Sequence, residues 1–214
     1  MENSRLEPIL LSAPVVPVLI IEDIASAVPL ARALVAGGLK ILEITLRTDA
    51  ALEATKAIID QVDGAVTGLG TVLDAGQMRE AEEIGVAFMV SPGGSPALLD
   101  AAEGCSVPLL PGAATASEAM TLLERGYRFQ KFFPAEQAGG AGYLKALSSP
   151  LASIRFCPTG GISPNNAGDY LALGNVVCVG GSWVAPADAV KAGDWARIEE
   201  LARAASRLGA GAVS

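Results

Sequence analysis

Short runs of β-branched and apolar residues return along this chain every 21 to 26 residues or so, and that spacing constrains its fold more than any single motif. The runs are PVVPVLII from Pro14, LKILEITL from Leu39, AVTGLGTV from Ala65, AFMVSP from Ala87, PLLPGA from Pro108, FQKFFPA from Phe129, RFCPTGGI from Arg155 and VVCVGGSWV from Val176. Most gaps between them hold helical patterns rich in Ala, Leu and Glu. Strand and helix in alternation build a parallel sheet, because a parallel neighbour is reached only by a long crossover. Eight such units with no spare segment predict a (β/α)8 TIM barrel, with a doubly wound open sheet as the alternative α/β fold. The stretch RLEPILLS before Pro14 predicts an additional N-terminal helix, and residues after Ala187 the last helix. No linker, low-complexity tract or composition shift divides the chain, so residues 1–214 are expected to form a single domain.

Start and stop signals sharpen the helices. Asp23, Asp49 and Ser117 precede apolar periodic stretches and are predicted N-caps. Gly37, Gly38, Gly85, Gly126 and Gly174 follow such stretches and read as stops. A short helix is expected around Gly142 to Ser148.

Composition excludes several function classes. A net charge of −8 with 15 scattered Lys and Arg argues against a nucleic-acid partner, since phosphate backbones need clustered cations. Every apolar run is cut by Gly, Pro or a charge well before the ~20 residues of a membrane span, so no membrane association is expected. A mean hydropathy of +0.43 nevertheless leaves apolar surface to cover, which suits a subunit interface. The opening MENSRLEPILLSA does not read as a secretory leader, and a cytoplasmic location follows as the default. Cys105, Cys157 and Cys178 are far apart and odd in number, as expected of reduced core thiols. With no histidine anywhere and no cluster of Cys or Asp ligands, neither a transition metal nor another cofactor is implied. Acid–base work must therefore fall to Glu, Asp, Lys, Tyr, Ser, Thr, Cys or backbone groups.

Against this pattern a few residues stand out. In Ile41-Leu42-Glu43-Ile44-Thr45-Leu46-Arg47, alternation puts Glu43, Thr45 and Arg47 on the interior face and Leu42, Ile44 and Leu46 toward the helices. A carboxylate and a guanidinium on one interior face are either a buried structural ion pair or a functional site, and desolvation makes the first a poor stability device. Of five lysines only Lys131 lies within a strand, in Phe129-Gln130-Lys131-Phe132-Phe133-Pro134. Aromatic carbon around an amine disfavours its charged form, and a neutral amine can attack a ketone. The alternative is a lysine that snorkels from an edge strand to solvent. Glycine turns follow the seventh and eighth runs, Thr159-Gly160-Gly161-Ile162-Ser163 and Gly180-Gly181-Ser182-Trp183. Backbone amides in barrel loops at these two places commonly hold phosphate. Thr71 in GLGTV and the turn Ser91-Pro92-Gly93-Gly94 offer neutral groups for a carboxylate or carbonyl, although such residues often serve only the turn.

Taken in order, PVVPV, LEITLRT, GTVL, SPG, PG, KFFPAE, CPTGGISP and GGSW give the chain a resemblance to the 2-keto-3-deoxy-6-phosphogluconate (KDPG) aldolase family, which includes 4-hydroxy-2-oxoglutarate (KHG) aldolases. The resemblance runs from about Pro14 to about Leu201. It implies a TIM-barrel class I aldolase of the Entner–Doudoroff pathway, usually a homotrimer, acting on a phosphorylated keto acid without a cofactor. By the same resemblance Lys131 forms a Schiff base and Glu43 is the acid/base. Arg47 and Thr71 hold the pyruvate carboxylate, Pro92 and Phe133 line the site, Gly160, Gly161 and Ser182 bind phosphate, and Thr159 senses substrate hydroxyls. Two departures bear on substrate fit: PGAATASE carries smaller residues than the family pattern, and SPGGSP carries more glycine. The competing functions are another phosphosugar lyase or isomerase, and a non-catalytic phospho-ligand-binding barrel in which Lys131 is only a binding charge.

Overall fold

The computed structural model describes residues 3–208. Its strands are β1 (Val15–Leu19), β2 (Ile41–Thr45), β3 (Val66–Gly70), β4 (Phe88–Val90), β5 (Leu109–Leu110), β6 (Gly112–Ala113), β7 (Phe129–Phe132), β8 (Arg155–Pro158) and β9 (Val179–Gly181). Every predicted run contributes, and the fifth contributes twice. Pro111 interrupts it, since proline has no N–H for the ladder, while its carbonyl still accepts from the Lys131 amide at 2.8 Å.

All strand pairs are parallel. Six strands form one curled half-barrel sheet in the order β5-β4-β3-β2-β1-β9, and three form a second in the order β6-β7-β8. Isolated bridges from Phe156 to Val176 and from Thr159 to Gly180 tie β8 to the run that becomes β9. β1 and β2 are buried at every residue, as expected where helices cover one face and the sheet interior the other.

The helices are α1 (Asn3–Leu10), α2 (Ile24–Ala36), α3 (Ala51–Gln61), α4 (Ala75–Ile84), α5 (Pro96–Ala102), α6 (Ala116–Glu124), α7 (Gly140–Leu147), α8 (Ala167–Leu171), α9 (Ala187–Ala192) and α10 (Trp195–Ala205). The additional N-terminal helix is present and starts two residues earlier than RLEPILLS. Asp23 caps α2 through the Ala25 amide, as its sequence position predicts. Asp49 does not cap α3, where Ala50 holds that position without a side-chain bond. α6 starts before Ser117, because Thr115 and Glu118 form a reciprocal capping box that outcompetes the later serine. The C-terminal segment is two helices rather than one, broken at Gly193 with φ 65. The core runs through the molecule as one cluster from Leu6 in α1 to Ala205 in α10.

Candidate active site

β2 lies in the larger sheet and β7 in the smaller, and each turns one charged side chain into the interior between them. Lys131 Nζ meets Glu43 Oε1 at 3.1 Å, with both side chains only a few per cent exposed. The ammonium also lies 5.4 Å from the centre of the Phe133 ring. A buried ion pair of this kind is costly to desolvate and gives little net stability, so its presence asks for a chemical reason.

Neighbouring strands make room for it. A Cβ on Gly70, at the end of β3, would stand 2.3 Å from Glu43 Oε1, so only glycine leaves the carboxylate its place. Gly68 does the same for the Phe88 ring. Both glycines lie in GLGTV, where residue type alone gives them no role. The signal that marks them is their position inside a strand, where glycine weakens the element unless something approaches closely.

Arg47 corrects one expectation. β2 ends at Thr45, so Arg47 lies beyond the strand and is exposed. Its Nε donates to Thr71 Oγ1 at 3.1 Å. The structural pair of Glu43 with Arg47 is therefore absent among the described residues; Glu43 pairs with Lys131 instead. Thr45 Oγ1 donates to the Leu19 carbonyl at 2.9 Å. Thr71 has φ 60, the one described non-glycine residue with positive φ, a costly backbone for a β-branched side chain. No residue type in GTVL announces this strain.

Arg47 lines a cavity of about 140 Å³ together with Phe133, Thr159, Gly160, Gly161 and Ser182. Thr159 is 7% exposed and its Oγ1 has no hydrogen-bond partner among the described residues. It occupies space that a side chain at Gly180 would take, with a Cβ there only 2.2 Å away. Phe133 also borders a larger cavity of about 440 Å³, with Pro92, Gly93, Gly94, Ala113 and Ala114. That cavity is lined by residues of SPGGSP and PGAATASE, the two segments of small residues. Ser91 serves its turn by accepting from the Gly93 amide at 3.4 Å.

Cys157 pairs in register with Lys131, and all three cysteines are buried outside any disulfide. A hydrogen bond with Cys157, then burial and the nearby Glu43 charge, push the Cys178 thiol well above its ordinary range. It stays a protonated thiol and is a poor nucleophile. Among the described residues no group of His, Cys, Asp and Glu is placed to hold a metal ion. No helix there is long and apolar enough to cross a membrane.

A parallel α/β scaffold with a buried amine–carboxylate pair, flanked by a guanidinium and a glycine loop, defines the class of lysine-centred aldolases. The family model for KDPG and KHG aldolase matches residues 6–201, and the chain belongs to that family. It is 54% identical to the 2-dehydro-3-deoxy-phosphogluconate aldolase of Pseudoalteromonas atlantica over 92% of each chain. Among solved structures, it resembles the Zymomonas mobilis 2-keto-3-deoxy-6-phosphogluconate aldolase with 3-phosphoglycerate, with a TM-score of 0.92 and 48% identity over the whole of both chains. The Legionella pneumophila KDPG aldolase, with pyruvate captured as a covalent carbinolamine, matches with a TM-score of 0.91 and 43% identity over 96% of this chain and 98% of that one.

Proposed function

We propose that this protein is a class I aldolase that cleaves KDPG to pyruvate and glyceraldehyde 3-phosphate, and KHG to pyruvate and glyoxylate. The observation that carries the reading is the 3.1 Å contact between Lys131 and Glu43 in a water-poor interior. Proton transfer from ammonium to carboxylate yields a neutral amine and a carboxylic acid with no change in the net charge of the pair. The amine then adds to C2 of the keto acid. Glu43 supplies and recovers protons as the carbinolamine loses water, which leaves a protonated imine on Nζ.

The imine accepts the electron pair of the C3–C4 bond. Glu43 takes the proton of the C4 hydroxyl, the bond breaks, the aldehyde leaves, and an enamine remains. Protonation at C3 and hydrolysis release pyruvate and restore the amine. Arg47, with Thr71 beside it, holds the substrate carboxylate by a planar fork that stays charged throughout. Pro92 and Phe133 wall the reacting carbons. Amides at Gly160 and Gly161 with the Ser182 hydroxyl take the phosphate, and Thr159 Oγ1, without a partner among the described residues, meets a substrate hydroxyl.

The fold is read as a closed (β/α)8 barrel in one domain, supported by the two bridges from β8 and by the continuous core. A cytoplasmic homotrimer fits the exposed apolar side chains of Ile20, Leu73 and Met120. Incubation with pyruvate and borohydride, followed by peptide mass mapping, tests the chemistry. A stable adduct on Lys131 is expected. An adduct on any other lysine, or none with active enzyme, would refute it.

A further inference from the structure

The glycine loop after β8 is held by its carbonyls. Those of Thr159, Gly160 and Gly161 accept from the Ala135 amide at 2.8 Å, the Glu136 amide at 3.1 Å and Asn166 Nδ2 at 3.0 Å. In a trans peptide the N–H points opposite to the C=O, so fixing three consecutive carbonyls also aims the following amides. The N–H groups of Gly161 and Ile162 have no partner among the described residues, and both residues line the smaller cavity.

Two of those three anchors come from the segment Ala135-Glu136, which follows β7. Gly161 packs against the stem of Glu136, where a Cβ would fall 2.5 Å from Glu136 Cγ. Glu136 is itself exposed, and among the described residues its carboxylate has one hydrogen-bond partner, the hydroxyl of Tyr170 in α8. Tyr170 is 1% exposed and is one of the largest fully buried side chains of the molecule. A buried phenol thus holds a surface carboxylate beside the loop. Burial, then the Glu136 contact, push the phenol above its ordinary range, so it remains a donor wherever the enzyme works.

We propose that Tyr170 is a positioning residue which, through Glu136, holds the Gly160–Gly161 loop in its anion-binding shape and so sets the advantage of phosphorylated over unphosphorylated keto acids. The inference rests on the aldolase reading above and assigns the substrate preference of that site to a residue outside it. Pre-organised amides bind an anion without the cost of ordering the loop. An unphosphorylated keto acid gains nothing from them.

The test uses the full-length enzyme with Tyr170→Phe, Glu136→Ala and Glu136→Gln. Kinetics are measured separately with KDPG and KHG, together with the rise in Tm caused by inorganic phosphate. Loss of one hydrogen bond at a solvent-exposed carboxylate, where water replaces part of it, predicts that Tyr170→Phe raises KM for KDPG roughly three- to ten-fold, with kcat and the KHG kinetics unchanged. The phosphate-induced rise in Tm should shrink in the same variant. Glu136→Ala should behave alike, and Glu136→Gln, which keeps an acceptor for the phenol, should restore wild-type selectivity. Equal losses on both substrates would reduce Tyr170 to ordinary core packing and overturn the proposal, as would an unchanged KM with an unchanged phosphate response. The Tm arm needs no turnover, so a wild-type enzyme that cleaved neither substrate would sink the aldolase reading while the loop was still judged by phosphate binding.

Discussion

Glu43 Oε1 and Lys131 Nζ stand 3.1 Å apart although 88 positions separate them in the chain, one on each of the two sheets. The pair brings together the nucleophile and the proton carrier of the proposed reaction, and it meets solvent hardly at all.

Replacing Glu43 by Gln keeps the shape and removes the base. Positioned acid–base catalysis is commonly worth ~10²–10⁴-fold, so kcat for KDPG cleavage should fall by about that factor while KM changes little. Pyruvate release followed with a coupled dehydrogenase reads the effect. A Glu43→Gln enzyme with wild-type kcat would remove Glu43 from the mechanism.

Gly70 makes a subtler prediction. Since a methyl group there would stand 2.3 Å from Glu43 Oε1, Gly70→Ala must displace the carboxylate. Misplacing a catalytic group by about an ångström costs on the order of 10²-fold, so kcat/KM should drop by ~10–100-fold in a folded protein. Far-UV circular dichroism and Tm establish the fold, and steady-state kinetics give the loss. Unimpaired catalysis would mean that the close approach is not needed.

Arg47 reaches the cavity from outside β2, tethered to Thr71. Removing a charge-assisted contact of ~1.5–3 kcal/mol should raise KM about ten- to a hundred-fold in Arg47→Ala and also slow turnover, because the ketone is no longer held against the amine. Arg47→Lys should recover only part of the loss, since an ammonium lacks the planar fork. Wild-type KM for both keto acids in Arg47→Ala would disprove the carboxylate contact.

Acid stability tests the cap of α6. The Ala114 amide first, then the Thr115 hydroxyl and amide, hold the Glu118 carboxyl below the ordinary glutamate range. A carboxylate depressed in the folded state stabilises above its unfolded pKa, and that stability is lost as pH falls through the folded value. The difference in urea midpoint between wild type and Glu118→Gln should thus be present near neutrality, begin to shrink as pH falls below about 4, the ordinary glutamate value, and disappear only below the lower folded-state value. A difference that stayed constant as the pH was lowered would assign the effect to something other than the ionised cap.

Much of the site was legible because its residues violate the pattern around them. Lys131 is a charge in an apolar strand, Glu43 a carboxylate on an interior face, and Gly160-Gly161 a break at a strand end. Helix boundaries were less legible: Asp49 and Ser117 have the right chemistry for caps, but Ala50 and Thr115 hold the positions, since which residue caps depends on where the preceding strand delivers the chain. The room that Gly70 and Gly180 leave for side chains from elsewhere in the chain had no local signal, and GTVL marked Thr71 as a polar candidate without revealing its strained backbone.

The period of apolar runs determined, by itself, that strands and helices alternate and that the sheets are parallel, because a backbone must satisfy its own hydrogen bonds within a fixed length of chain. Residue type likewise named the amine, the carboxylate and the amide loop. Pairing was decided only in three dimensions. Chain alternation grouped Glu43 with Arg47, whereas the fold joins it to Lys131 and leaves Arg47 with Thr71. Alternation along one strand specifies a face; the distance between faces is set by how two sheets curl toward each other, and no local pattern contains that distance.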